Sequence, residues 1–453
     1  MIIRNGTIID TVANTMYKAD LYIENGSIFN ILRNDADINT AGILKVNIIS
    51  NVGGQAENQI SGQRNYMENV IDATGLLIGP GLIDTHVHFR DPGFTHKEDI
   101  FTGAEAAKAG GYTGIVLMAN TNPKVDNADT LKYVIDKGSK TGINIYTCAN
   151  VTMNMAGKEL TDMETLIANG AVGVTDDGIP LVNEDIALEA MHKSAILHKP
   201  ISFHEENPDL ISENGINRGK ASEYYGIEGS PREAEISLIE RDIKLMEKCS
   251  KIYGVMPTVV IQHISTKEGV NLVRKAKEAG LDIHAEATPH HFSLTEEAVI
   301  KYGAMAKMNP PLRTEEDRMA IIEGIKDGTI DLIATDHAPH TNEEKSGEIT
   351  KTPSGIIGLE TALNLGITEL INKNGMGYPM LFERMSANPA RLYDIEGGQI
   401  KEGLPANFVI FDPRAKDIKN EFHSKSSNSP FVGMELDGKI IYTICNGEIV
   451  YQS

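Results

Sequence analysis

The 453-residue chain has no tryptophan, only three cysteines and too few positive charges. Its 42 Lys and Arg face 63 Asp and Glu, for a formal net charge of −21. Cys148, Cys249 and Cys445 lie far apart, odd in number and without CxxC spacing. That excludes a disulfide framework and a thiolate zinc site, and fits a reducing compartment, the cytoplasm. So acidic a surface repels phosphate backbones, and with 6% aromatic residues it offers few stacking platforms, so no nucleic-acid partner is expected. No apolar run approaches the roughly 20 residues of a membrane span. The opening MIIRNGTIID reads as strand and turn, not as a signal core. With 41% apolar and 23% charged residues, what remains is a folded acidic protein.

The two ends resemble each other and differ from the middle. Residues 1–33 hold short alternating strands (MIIRN, TIID, ADLYIENGSIFNIL) broken by Asn-Gly turn signals, and NFVIFD, KIIYTICNG and EIVYQS repeat the style after about residue 395. Residues 1–79 and 395–453 are therefore expected to form one small β-sandwich domain, with 34–70, polar and weakly patterned, as an insertion. Between them, eight apolar runs alternate with helix-like stretches over 80–394. The runs are 82–88, 113–119, 143–149, 171–175, 200–204, 258–263, 281–287 and 331–336; the stretches include 98–109, 184–198, 232–249, 267–279, 315–326 and 359–371. Eight buried strands alternating with helices predict an α/β fold, a (β/α)8 TIM-like barrel. A doubly wound open sheet is disfavoured because no GxGxxG follows the first strand.

What ends these strands carries the chemistry. His86 and His88 end the first, Asn120 follows the second, and Asp176 and Asp177 follow the fourth. His204 ends the fifth, His263 the sixth, and Asp336 with His337 the eighth. The C-terminal strand ends of such a barrel form its active-site mouth, so residues about 250 positions apart should share one cavity. Alternate residues on a strand point the same way, so His86 and His88 face one point. Four imidazoles and two carboxylates exceed the needs of one tetrahedral ion; two ions sharing a carboxylate would use them all. Of the adjacent Asp176 and Asp177, only one can face the ions. His192, His198, His284 and His423 are expected to be structural; His290 and His291 follow the seventh strand, where they could line the mouth, but the balance is against a place at the site and further against a role as ligands.

The stretches DTHVHFRDPG (84–93), MANTNP (118–123), TDDG (175–178), QHIS (262–265), AEATPHHFSLT (285–295), KMNPPLR (307–313) and ATDHAPH (334–340) together resemble the type I dihydroorotases of the amidohydrolase superfamily. The likeness runs on through NPARLYD (388–394) and FVIFDP (408–413). It implies reversible zinc-dependent cyclisation of N-carbamoyl-L-aspartate to L-dihydroorotate and water, a step of pyrimidine synthesis. It assigns His86, His88 and Asp336 to one zinc, His204 and His263 to a second, and Asp177 to the bridge, with no carboxylated lysine. Two ions are expected over one. Asp336 becomes the catalytic proton carrier. Arg90, Asn120 and His340 would grip the substrate carboxylate and Asn309 the ring amides, with His88 and the backbone at Ser354 and Gly355 also against substrate. Residues 341–355 would cover the mouth as a loop. Departures from the family pattern are Ala119 for proline, Ser354 for a bulky apolar residue, Asn407 for aspartate and the 34–70 stretch. A homodimer and an association with aspartate transcarbamoylase are further implied.

Overall fold

The computed structural model describes residues 1–34 and 70–453, so all but the two end residues of the expected insertion lie outside the described residues. Strands β1 (Ile2–Asp10), β2 (Thr15–Glu24), β3 (Ser27–Arg33), β4 (Val70–Asp72) and β5 (Leu77–Pro80) open the chain. Eight short strands follow: β6 (Leu82–Val87), β7 (Tyr112–Leu117), β8 (Asn144–Thr147), β9 (Val174–Thr175), β10 (Ile201–Phe203), β11 (Val259–Ile261), β12 (Ile283–Ala287) and β13 (Leu332–Ile333). The chain closes with β14 (Phe408–Ile418), β15 (Glu435–Cys445) and β16 (Glu448–Gln452). No helix among the described residues is long and apolar enough to cross a membrane.

Both ends do enter one sheet. Its order is β16, β15, β14, β5, β1, β2, β3, with β4 also paired to β1. Two of the three Asn-Gly signals in these ends are tight turns, between β2 and β3 and between β15 and β16, with Asn25 and Gly26 at φ 51° and 80° and Asn446 and Gly447 at 51° and 79°. The third, Asn5-Gly6, does not separate two strands as expected but lies inside β1, where the pairing with β2 shifts register and Asn5 takes φ 61°, a bulge in place of a turn. Period-2 alternation decides what each face buries. Along β14, Phe408 and Ile410 join Ile3, Leu21 and Ile78 in one apolar cluster, while Val409 and Phe411 join the large central core. At that seam Phe411 stacks on Phe382 with ring centroids 5.8 Å apart. Both rings are fully buried, each worth roughly 1.5–3 kcal/mol of transfer free energy. Gly79 makes the approach possible, because a Cβ there would lie 2.1 Å from a Phe382 ring carbon.

The eight middle strands are parallel, in two sheets: β6–β7–β8 and β9–β10–β11–β12–β13. Single parallel bridges connect the sheets at both sides, Ala149 with Val174 and Val87 with His337. Helices Ile100–Ala109, Glu184–Ile196, Glu233–Tyr253, Lys267–Glu278 and Glu315–Asp327 intervene where the sequence predicts them. Side-chain caps start four of the five: Asp99, Asn183, Thr266 and Thr314 each accept from first-turn amides, whereas Glu233–Tyr253 begins at Arg232 without one. The expected α-helix over 359–371 is only one α turn, Ala362–Leu365, followed by a π-helix, Gly366–Lys373. Apolar periodicity fixes which face is buried but does not separate these two pitches.

Candidate active site

Five of the six proposed ligands sit just past the strand ends, and His86 lies inside a strand, the next-to-last residue of β6. Two residues earlier, the Asp84 carboxylate accepts from both the His86 and the Thr335 amides (3.0 and 3.1 Å), tying β6 to the β13 end. His88, Asp177, His204, His263 and Asp336 follow β6, β9, β10, β11 and β13 by one to three residues. All six are buried. Arg90, His263 and Asp336 have positive φ (59°, 34° and 49°). For side-chain-bearing residues this costs roughly 1–3 kcal/mol each, strain that persists where surrounding structure over-determines it.

The donors converge. His86 Nε2 is 3.3 Å from Asp177 Oδ1 and 3.6 Å from Asp336 Oδ1. His88 Nε2 is 3.4 Å from Asp177 Oδ2 and 3.0 Å from Asp336 Oδ1. His204 Nδ1 is 2.9 Å from His263 Nε2, and both nitrogens lie within 3.8 Å of Asp177 Oδ1. Two groups, His86–His88–Asp336 and His86–Asp177–His263, have mutual spacings that suit a metal ion. Asp176 turns away, its carboxylate accepting from the Val151 and Thr152 amides. The adjacent-residue ambiguity is thus resolved geometrically in favour of Asp177 facing the histidines.

Outer partners fix the imidazole tautomers. His86 Nδ1 donates to Glu286 Oε2 (3.0 Å), and His88 Nδ1 to Asn120 Oδ1 (3.1 Å), since both oxygens can only accept. Asn120 Nδ2 in turn donates to Asp177. The inward Nε2 of each ring faces carboxylate oxygens, that of His88 lying 3.0 Å from Asp336 Oδ1 and that of His86 having no hydrogen-bond partner. With neutral rings, imidazole and carboxylate lone pairs would oppose one another, so the cage calls for positive charge, either protons on the rings or a metal ion between the groups. The donor set therefore fits a metal. Burial opposes charge on His86, but Asp177, Glu286 and Asp336 outweigh it and push its pKa well up. His204 rises to about 9 for the same reason, with Asp177 and Glu206 overcoming burial. Asp336 is held below the carboxylate range, because His88, His86 and His263 overcome desolvation.

A cavity of about 180 Å³ opens on this cage. Five of the six candidate ligands line it, His86 lying beneath. Arg90, Asn120, Asn309, Ser354 and Gly355 line it too. His340 stands behind, with Nε2 donating to the Ser354 carbonyl (2.9 Å) and lying 3.4 Å from Arg90 Nη2. Burial and the charges of Arg90 and Lys97 lower its pKa to about 3, so it is neutral. All sequence-predicted site residues are thus brought together. His290 and His291 are buried in the turn Pro289–Ser293 beside the cage without lining the cavity. His192 stacks on Tyr253, His423 bonds Glu360 and His284 pairs with Asp282 and Asp331, away from it. Sequence reasoning missed Glu286 and Glu206, the outer partners of His86 and His204. A Glu inside the apolar run of β12, and one two residues beyond a candidate ligand, were the available signals.

The fold matches solved structures along its whole length. L-Hydantoinase (dihydropyrimidinase) from Arthrobacter aurescens aligns with a TM-score of 0.81 at 23% identity, covering 100% of this chain and 96% of that one. Dihydropyrimidinase from Brevibacillus agri gives 0.81 at 22%, covering 100% and 95%. At this identity the likeness establishes a shared fold. A family model described as dihydro-orotase-like matches residues 75–269. Dihydroorotases of Clostridioides difficile and Clostridium acetobutylicum are 49% and 46% identical, over 96% and 100% of this chain and 100% and 99% of theirs. The chain belongs to the dihydroorotase family.

Proposed function

We propose that the chain catalyses reversible cyclisation of N-carbamoyl-L-aspartate to L-dihydroorotate and water, the ring-closing step of pyrimidine synthesis, in the cytoplasm. The observation that carries this reading is one cavity shared by the His/Asp cage and by Arg90, Asn120 and Asn309, a hydrolytic centre beside a cation suited to a carboxylated ring. His86, His88 and Asp336 would hold one Zn2+, His204 and His263 a second, and Asp177 both. When bound, the ions lower the pKa of water and polarise an amide carbonyl.

The chain's own groups do the rest. Asp336 takes the proton of the attacking water as the new C–O bond forms. It then delivers that proton to the ring nitrogen as the C–N bond breaks. In the synthetic direction it removes the carbamoyl nitrogen's proton, and water leaves from the side-chain carboxyl carbon. The Arg90 guanidinium meets the ring carboxylate through parallel charge-assisted bonds, with neutral His340 and Asn120 beside it. Asn309 and the Ser354 and Gly355 backbone contact the ring, and His88 presents its edge to the substrate. Residues 341–355 form the loop over the mouth.

The bridges at Ala149–Val174 and Val87–His337 support closure of the two parallel sheets into a (β/α)8 barrel over 80–394. The apolar cluster shared by β1, β2, β5 and β14 supports one β domain drawn from 1–79 and 395–453, built on a single continuous sheet where the sequence suggested a two-sheet sandwich. A homodimer and an aspartate transcarbamoylase partner are checked by sedimentation with and without that enzyme. The activity is tested with dihydroorotate, allantoin and hydantoin, after zinc loading. Dihydroorotate should be hydrolysed with the highest kcat/KM by at least about tenfold. Preference for hydantoin or allantoin overturns the assignment.

A further inference from the structure

We propose that Asn428, which lies far from the cage in sequence, is a positioning residue for the carboxylate end of this cavity. The inference rests on the proposed reading of Arg90 and His340. Asn428 sits in the coil between β14 and β15 and is fully buried. Its Oδ1 accepts from the His340 amide (3.1 Å). Its Nδ2 donates to the carbonyls of Ala338 and Gly355, both at 3.1 Å, and its own carbonyl accepts from the Ile357 amide at 3.0 Å. One planar side chain thus registers the segment leaving β13 against the segment that ends the covering loop.

Those two segments make the wall. Ala338 and Gly355 line the cavity, and His340 bonds the Ser354 carbonyl. They run so close that a Cβ on Gly355, at φ 114°, would lie 2.7 Å from the Ala338 Cβ. Lys345 supports the same register, its Nζ bonding the carbonyls of Pro353 and Gly355 at 2.9 and 3.0 Å. The coil itself is anchored, because Ser426 bonds the Lys97 carbonyl and the His423 amide bonds Glu360. Asparagine suits the position because it offers one acceptor and two donors in a single plane. Aspartate keeps the acceptor but would set a second oxygen against two carbonyls in a dry site.

The test uses the zinc-loaded full chain. Asn428→Asp should raise KM for dihydroorotate about tenfold while kcat falls less than about threefold, as expected for lost buried hydrogen bonds that act on binding geometry. Hydrolysis of dihydrouracil, the ring without the carboxylate, should change much less. Arg90→Ala is the reference. If Arg90→Ala raises KM and Asn428→Asp does not, the positioning role is overturned while the carboxylate reading stands. If Arg90→Ala leaves KM unmoved, the carboxylate reading falls and the inference with it. A loss of kcat alone, equal for both rings, also overturns it. Where the aspartate variant does not fold, Asn428→Ser, which keeps an oxygen and loses both amide donors, is judged by the same KM criterion.

Discussion

At His86 and His88 the atom offered to the cavity is decided by what the opposite ring nitrogen meets. Glu286 and the Asn120 carbonyl each accept a hydrogen bond from Nδ1, so the Nε2 atoms point inward. Asp336 faces the His88 nitrogen from within hydrogen-bond range and, on the proposed mechanism, is the carboxylate that would carry the reaction's proton. Asp336→Asn should keep metal, measured by elemental analysis, and lose about 10²–10⁴-fold in turnover in both directions. Turnover near that of the unaltered chain would remove it from the proton path. Away from the cavity, His284 gives a pH signature. Burial opposes its proton, but Asp282 and Asp331 outweigh burial and push its pKa up to about 9 from 6.5. The folded state therefore holds the proton more tightly. The stabilisation is complete below pH 6.5 and is lost as pH rises through about 9, with an upper limit of about 3 kcal/mol. The Tm advantage of the unaltered chain over His284→Gln should shrink across that window; a constant advantage would refute the ion pair. The histidines and aspartates were legible in the sequence because each ends an apolar run. Asn428 was not, because its partners lie 73 to 90 residues away and nothing local marks it.

Elements were legible where burial is continuous and blurred where the backbone turns. The runs ending at 204, 263 and 336 give strands of two or three residues, β10, β11 and β13. His263 and Asp336 leave the extended region altogether, so the functional residues stand just outside the ladder. Alternation could not reveal that, since it reads side chains and not φ. At the seam between the terminal sheet and the middle strands, Gly79 admits the Phe382 ring. Gly79→Ala should destabilise by about 1–3 kcal/mol through overpacking. Denaturant midpoints would check this, and an unshifted midpoint would show that the ring has room to move.

For the molecule as a whole, six buried imidazole and carboxylate groups facing one another across 3.0 to 3.8 Å are a ready site for a cation. A metal that binds only the folded form contributes about 4 kcal/mol at a thousand times its Kd. Chelation should abolish activity and lower Tm, and added Zn2+ should restore both. An unchanged Tm with activity lost would separate catalysis from folding, and activity unaffected by chelation would deny the cage its ion.

The pairing of β5 with β14 sets the order in which the polypeptide can mature on the ribosome. The Leu77–Pro80 edge emerges about 330 residues before Phe408–Phe411 arrives to cover it. At roughly 5–20 residues per second that is about 20–60 s of open, apolar strand edge. During that interval the nascent N-terminal half offers a ready target for chaperones, and a stalled translation product ending before β14 would present an adhesive border to its neighbours.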